Sequence, residues 1–425
     1  MKIKILTAIL LITSTGQNMM AKNSADLSVK VENTCSETIL KCGKTAEFSV
    51  EIRKDGELLK KGECNVALSN DGGTLLKEYK YNLADGNPFK VTGTMNTPSF
   101  FKCQVDMDKA SDASSAAFEP EKIVPGLPCP DDFDKFWADS VKRQEAVPNP
   151  VRLIPMPQSG NKKCEAFKIE VSTPDNEKIY GYMTVPRKDG KFPVIVNVPG
   201  ASKLVNAPIF RPEGSIIYVV MNVHRLDPST DPKEWQAQKK AIRPLRYAGL
   251  PDREKYYYRN SILAVNAVIN YMTSYPRWDG KHLVFDGASQ GGGFALFMGG
   301  INKHLTAVVS RISAMCDHGG CLAGRSSGWP LLYMQAAADD KEQKDKILKM
   351  SAYFDGVNFA GRIKVPALVA VGFKDITCSP GSVYAAYNSI NSEKKIITDV
   401  QAGHGISREY SKQIDEWLKP RLGLE

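Results

Sequence analysis

Two kinds of hydrophobic patterning divide the chain. From about Asp26 to Asp108, apolar and polar residues alternate in short runs such as Leu27-Ser28-Val29-Lys30-Val31, Ala46-Glu47-Phe48-Ser49-Val50-Glu51-Ile52 and Phe100-Phe101-Lys102-Cys103-Gln104-Val105. A period of two turns alternate side chains toward a core and toward water, which is strand behaviour. Lys54-Asp55-Gly56, Asn70-Asp71-Gly72-Gly73 and Ala84-Asp85-Gly86-Asn87-Pro88 separate the runs with turn chemistry. The spacing predicts a small immunoglobulin-like β-sandwich over residues 22–110. Ser111-Asp112-Ala113-Ser114-Ser115-Ala116-Ala117 reads as a small-residue linker, placed at 111–127.

Beyond residue 128 the apolar runs lose their alternation. Phe192-Pro193-Val194-Ile195-Val196-Asn197-Val198, Ser215-Ile216-Ile217-Tyr218-Val219-Val220 and Val365-Pro366-Ala367-Leu368-Val369-Ala370-Val371-Gly372 suit parallel strands buried on both faces. Phe167-Lys168-Ile169-Glu170-Val171 and Ile179-Tyr180-Gly181-Tyr182-Met183-Thr184-Val185 read as an antiparallel opening hairpin. Residues 260–272 are helical by pattern, and 329–350 read as a further helical insertion. Residues 227–253, with Pro228, Pro232, Pro244 and Pro251, form a long irregular excursion expected to cover a site or an interface. The class is α/β, with a mostly parallel central sheet flanked by helices over 128–425.

Composition adds a compartment. Met1-Lys2-Ile3-Lys4 and the apolar run Ile5 to Ile12 read as a secretory leader, residues 1–21, with cleavage after Ala21. No later run approaches the ~20 apolar residues of a membrane span, so the expectation is an exported chain, periplasmic or extracellular. Losing Lys2 and Lys4 lowers the formal charge from +9 to +7, with basic and acidic residues interspersed, which argues against nucleic acid as a partner. Nine cysteines suit an oxidising compartment and leave at least one unpaired. Cys35, Cys42, Cys64 and Cys103 offer two bridges, and Cys316 with Cys321 a third. Cys316, His318 and Cys321 lack a fourth ligand and the spacing of a zinc site, so no metal and no cofactor is expected.

The sharpest local signal is Gly287-Ala288-Ser289-Gln290-Gly291, which follows Leu283-Val284-Phe285 and precedes a small-residue helix start. A strand that ends on Gly-x-Ser-x-Gly and enters a helix exposes a serine hydroxyl above the sheet edge, as in the nucleophile elbow of the α/β-hydrolase fold. Such a serine needs a base and an acid, which follow it in the order Asp/Glu, then His. Of the five histidines, His224 and His282 precede the serine, His304 sits near the end of the elbow helix and His318 lies in a polar loop. His404, in Ala402-Gly403-His404-Gly405, is the candidate base. Asp375 closes the buried run that ends at Gly372, where ligand-facing groups of open α/β sheets gather. Its competitor Asp399 is inside a strand-like segment. The oxyanion donors expected are the backbone N–H of Gln290 and that of Ala201, after Asn197-Val198-Pro199-Gly200. Cys378, near the Asp375 loop, reads as a small buried hydrophobe.

Pro130-Asp131-Asp132-Phe133-Asp134-Lys135-Phe136-Trp137, Tyr257-Tyr258-Arg259-Asn260 and the elbow through Gly293 resemble segments of carbohydrate esterase family seven. These are the acetyl xylan esterases and cephalosporin-C deacetylases. Tyr353-Phe354-Asp355-Gly356-Val357-Asn358-Phe359-Ala360, Val371-Gly372-Phe373-Lys374-Asp375, Thr377-Cys378-Ser379-Pro380, Ala385-Ala386-Tyr387-Asn388 and Ala402-Gly403-His404 continue the resemblance in order, from about Pro128 to Leu422. It implies that Ser289, Asp375 and His404 are the triad, that the substrate is an acetylated oligosaccharide or polysaccharide, and that the chain forms a homo-oligomer. Three positions depart from the family. His224-Arg225-Leu226 stands where Arg-Gly-Gln is usual, His404-Gly405 replaces His-Glu, and Ala201 replaces an aromatic, enlarging the acyl side of the pocket. The departures and the added N-terminal segment bear on substrate and oligomer rather than on the triad.

Two rival readings complete the set. A peptidase of the prolyl-oligopeptidase type shares the fold and triad order but brings a propeller that this chain has no repeats to build. A non-catalytic glycan-binding or scaffold protein on the hydrolase fold has no need of all three triad residues.

Overall fold

The computed structural model describes residues 27–424 except 202, 212–213, 229–230, 243 and 338. The leader reading lies outside these residues. The chain forms two compact units, the second comprising 124–320, 327–378 and 382–425. No helix of the described residues is long and apolar enough to cross a membrane.

The first unit is built from nine strands: β1 (Leu27–Asn33), β2 (Ile39–Leu40), β3 (Ala46–Lys54), β4 (Glu57–Leu58), β5 (Glu63–Asn70), β6 (Leu75–Asn82), β7 (Phe89–Gly93), β8 (Ser99–Met107) and β9 (Ala110–Phe118). One sheet holds β1, β3, β4 and β7, the other β2, β9, β8, β5 and β6. Inward residues of both sheets, among them Val31, Phe48 and Val50 with Val66, Cys103 and Val105, share one core. That makes a sandwich.

The linker reading is corrected here. Residues 111–117 are the body of β9, paired with β8 along its whole length. Its small polar residues are not loose. Asp112 accepts the backbone N–H of Val31 at 2.7 Å, and the Ser115 carbonyl accepts from Asn33 at 3.0 Å. Ser114 to Phe118 are buried. Small residues have weak strand propensity, but the ladder and the packing they meet decide the outcome.

The cysteines also differ from expectation: all nine are free thiols. Cys64 and Cys103 are both buried, but the β5–β8 register sets Cys103 opposite Leu68, so pairing never brings the two opposite each other.

In the second unit, nine strands follow: β10 (Val151–Pro155), β11 (Cys164–Ser172), β12 (Lys178–Pro186), β13 (Phe192–Asn197), β14 (Ile217–Met221), β15 (Trp278–Ala288), β16 (Ala307–Arg311), β17 (Ala367–Gly372) and β18 (Lys394–Asp399). They form one sheet in the order β10-β11-β12-β14-β13-β15-β16-β17-β18. The β10–β11, β11–β12 and β12–β14 pairs are antiparallel and the rest parallel. The helices are α1 (Phe133–Glu145), α2 (Pro232–Ala241), α3 (Tyr258–Met272), α4 (Gln290–Ile301), α5 (Lys341–Ser351), α6 (Gly356–Ala360), α7 (Pro380–Ser389) and α8 (Arg408–Arg421). Part of the excursion at 227–253 is therefore helical, as α2. The 329–350 insertion is helical in its second half, as α5, with a short 3₁₀ turn at Leu332–Gln335 before it. The α/β-hydrolase fold is the result.

The strand order positions the site. β14 lies on one side of β13 and β15 on the other, so the chain reverses direction of travel across the sheet at β13. Loops leaving the carboxyl ends of two such strands diverge and open a crevice, which is where open α/β sheets bind ligands. Here those loops begin at Val198 and at Ser289.

Candidate active site

Ser289 sits between β15 and α4 with φ 58° and ψ −119°, a backbone state that L residues seldom adopt. Two glycines make the turn possible. A Cβ on Gly287 would stand 2.2 Å from the Gly291 carbonyl oxygen, and one on Gly291 would stand 2.0 Å from that of Val198. The turn is anchored from below: Ser289 N donates to the Arg311 carbonyl at 2.9 Å, and Ala314 N donates to the Ser289 carbonyl at 3.0 Å. Beneath it Arg311 grips the half-buried Asp286 carboxylate in bidentate fashion, tying β15 to β16.

The hydroxyl of Ser289 is 2.9 Å from Nε2 of His404, and Nδ1 of His404 is 2.8 Å from Oδ2 of Asp375. The other carboxylate oxygen, Oδ1, accepts the backbone N–H groups of Thr377 at 2.8 Å and Cys378 at 2.9 Å. The acid side chain is fully buried while the imidazole is 31% exposed, so the chain runs from a dry anchor to an open mouth. Asp399 does not compete. It is buried in β18, and its carboxylate accepts from Gln401 N and Ser407 N, bracing the loop that carries His404.

Around the proposed oxyanion position, Gln290 is the first residue of α4, whose opening N–H groups have no acceptor within the helix. Its side chain accepts from the Tyr258 hydroxyl at 2.8 Å and donates to the Pro199 carbonyl at 3.3 Å, fastening the loop that carries Ala201. Tyr258 and the Gln290 amide are the supports that sequence reasoning missed. Only the Tyr257-Tyr258 pair in the family-like segment signalled them.

Cys378 also does more than fill space. It is buried, and its thiol hydrogen-bonds with Ser289. Burial and then the Asp375 charge push that thiol well above its usual range, and the Ser289 contact works the other way. Asp375, Cys378 and His404 are the one group of three or more possible metal ligands found among the described residues, their donor atoms within 4.8 Å of one another. A thiol held protonated and an imidazole with both nitrogens hydrogen-bonded are poor ligands, so the donor set favours proton transfer over metal binding.

The departures from the family pattern have structural partners of their own. His224 is buried with Nδ1 at 2.9 Å from the Tyr257 hydroxyl, and burial pushes its pKa down to about 4. Arg225 pairs with Glu177 and lies over the Tyr257 ring at 4.7 Å. Together they tie the loop after β14 to the start of α3. A Cβ on Gly405 would meet no atom within 4 Å, so the glycine is not forced by packing. The other histidines serve elsewhere: His282 pairs with Asp279 at 2.7 Å, and His318 is buried, its pKa pushed down to about 4.

Comparison with known proteins fits this arrangement. The sequence model of the acetyl xylan esterase (AXE1) family matches residues 121–421. Acetyl esterase Axe7A of Xylanibacter ruminicola is 29% identical over 351 residues, covering 81% of this chain and 79% of that protein. An acetyl xylan esterase from Paenibacillus sp. R4 superposes with a TM-score of 0.61 at 21% identity, over 71% of this chain and 98% of that one. Acetyl xylan esterase 1 from Thermoanaerobacterium sp. JW/SL YS485 gives 0.58 at 21%, over 71% and 96%. At that identity the solved structures speak to the fold, and the family match speaks to descent. The chain belongs to the acetyl xylan esterase family and is a carboxylic ester hydrolase.

Proposed function

We propose that this protein is an exported serine esterase that removes acetyl groups from acetylated oligosaccharides or polysaccharides through Ser289, His404 and Asp375. The observation that carries the reading is the continuous hydrogen-bonded chain from the Ser289 hydroxyl through both ring nitrogens of His404 to the buried Asp375 carboxylate. His404 Nε2 takes the hydroxyl proton as Ser289 Oγ attacks the acetyl carbonyl. Asp375 holds the Nδ1–H tautomer and stabilises the imidazolium. The tetrahedral oxyanion is received by the N–H of Gln290 and that of Ala201, each worth about 3–4 kcal/mol in the transition state. His404 then gives its proton to the departing sugar oxygen, leaving acetyl-Ser289. Water enters, His404 removes its proton, and acetate leaves as the serine is reprotonated.

The family match and the likeness to Axe7A support acetyl as the acyl group. Export is supported by the leader-like residues 1–21. The test compares 4-nitrophenyl acetate, butyrate and octanoate, and acetate release from acetylated xylan, with Ser289→Ala alongside. Turnover should fall with acyl length and vanish in the variant. A rate that climbs steadily past butyrate refutes the deacetylase reading, and no turnover above Ser289→Ala refutes catalysis.

A further inference from the structure

Two consecutive tyrosines stand at the start of α3 and take different partners. The Tyr257 hydroxyl meets His224, whereas that of Tyr258 donates to Gln290 Oε1 at 2.8 Å. Tyr258 and Gln290 are each 1% exposed, so neither group can turn to water instead. Burial pushes the Tyr258 phenol far above its usual range, which keeps it a donor. The other end of the amide, Nε2, donates to the Pro199 carbonyl at 3.3 Å.

The direction of each proton in this relay is fixed. A carbonyl oxygen only accepts, so the Gln290 NH₂ must face Pro199 and its oxygen must face Tyr258, which must donate. With the phenol removed, Oε1 becomes a buried acceptor without that partner, and the amide loses the contact that keeps Nε2 on Pro199. Proline has no N–H, so the carbonyl is the only polar backbone group by which Pro199 can be held. Its loop passes beside the nucleophile. A Cβ on Gly200 would stand 3.8 Å from Ser289 Cβ, and the Gly200 carbonyl accepts from Lys203 N at 2.8 Å, turning the chain at Ala201.

We propose that Tyr258 is a positioning residue for the oxyanion hole: through the Gln290 amide it clamps Pro199, and so sets where the Ala201 N–H stands relative to the Gln290 N–H. One residue thereby couples the two oxyanion donors. Gln290 offers its own backbone N–H, and its side chain holds the loop that offers the other. A buried tyrosine outside the triad then governs how well the transition state is stabilised. This deepens the proposed function and rests on its oxyanion assignment.

Tyr258→Phe deletes one hydroxyl, and Gln290→Met keeps an unbranched side chain of similar length without either polar end. Tyr256→Phe is the matched control: it deletes a buried hydroxyl that has no hydrogen-bond partner among the described residues. Measured on the full chain are kcat and KM for 4-nitrophenyl acetate, inhibition by trifluoroacetone, whose serine adduct carries an oxyanion, and hydrogen exchange of the peptide holding Gly200 and Ala201. Expected are kcat losses of about tenfold for Tyr258→Phe and about 30- to 100-fold for Gln290→Met, with KM within about twofold, the inhibition constant rising in step and exchange faster. Tyr256→Phe should match the wild type throughout. Because Tyr258 acts through Gln290, adding Tyr258→Phe to Gln290→Met should lower kcat by less than about twofold more. Wild-type kcat in a folded Tyr258→Phe protein overturns the proposal. So does an equal loss in Tyr256→Phe, or a further loss of about tenfold in the double variant. If Tyr258→Phe does not fold, Gln290→Met decides: wild-type kcat there overturns it. A wild-type protein that turns over no ester overturns the esterase reading instead; exchange then tests the clamp by itself, and an unchanged rate in Tyr258→Phe overturns it.

Discussion

Asp375→Asn offers the most demanding test of the site, because its effect follows from counting donors and acceptors. In the wild type, Oδ1 accepts two backbone N–H groups at 2.8 and 2.9 Å while Oδ2 accepts from His404 Nδ1 at 2.8 Å. An asparagine in the same rotamer has one acceptor and one donor end. With its oxygen toward Thr377 and Cys378, its NH₂ faces His404 Nδ1, which must then accept. That drives the ring proton to Nε2, where it points at Ser289 and the base is lost. Turning the amide over restores the tautomer but sets NH₂ against the N–H groups of half-buried Thr377 and buried Cys378, each left unpaired at about 1–3 kcal/mol. The wrong arrangement is therefore favoured by about 2–6 kcal/mol, a factor of roughly 30 to 10⁴ at 1.4 kcal/mol per decade. We expect kcat for 4-nitrophenyl acetate to fall by that range, with KM within about threefold and the fold intact; the loss reported for such a change in serine triads is about 10⁴. Labelling of Ser289 by a phosphonate should slow in proportion. A folded Asp375→Asn protein retaining more than about a tenth of wild-type kcat refutes the reasoning, since the tautomer argument allows no smaller loss.

The elbow itself should carry strain that glycine relieves. Ser289→Gly and Ser289→Ala both remove the hydroxyl, but alanine keeps the cost of φ 58°, about 1–3 kcal/mol, while glycine costs about 0.5–1 kcal/mol in unfolded-chain entropy. The glycine variant should melt about 2 °C above the alanine variant by calorimetry, and equal or reversed midpoints count against strain. Gly291→Ala forces a Cβ to within 2.0 Å of the Val198 carbonyl oxygen, so the loop bearing Ala201 must shift; kcat should drop about 100-fold, and a loss below threefold refutes the packing argument. The buried His224 has its pKa pushed down to about 4, below its ordinary 6.5, so the unfolded chain takes up its proton first. Stability is then lost as pH falls from about 6.5 toward 4, by about 1.4 kcal/mol per pH unit. The stability advantage of the wild type over His224→Gln, from urea midpoints, should shrink as pH falls through that window, His318 contributing equally to both proteins. Asp355, pushed up to about 7 by burial and by Asp317, titrates the opposite way but equally in both proteins, so an unchanged difference between them refutes the assignment.

Much of the site was legible because its logic is local or sequential. The elbow is written in consecutive residues, since only glycine fits beside Ser289 where the Gly291 and Val198 carbonyls approach. The acid and base emerge from chain order and from a supply of five histidines. The unbroken apolar runs at 192–198 and 365–372 announced β13 and β17, because strands covered on both faces have no use for alternation.

What sequence could not show depends on partners distant in the chain. Residues 111–117 look like a linker in isolation and become β9 only because β8 supplies a ladder and β1 supplies donors to the Asp112 carboxylate and the Ser115 carbonyl. The Gln290 amide and Tyr258 act through a contact between the start of α4 and the start of α3. Cys378 touches Ser289 because the β17 and β15 ends lie in one sheet, not because of any spacing between them. A sequence on its own determines periodicity, turn chemistry and the order of reactive groups, which are properties of neighbours along the chain. Which hydrogen-bond acceptor meets which orphaned donor is decided by tertiary packing, because desolvation makes that pairing compulsory without restricting where in the chain the partner comes from.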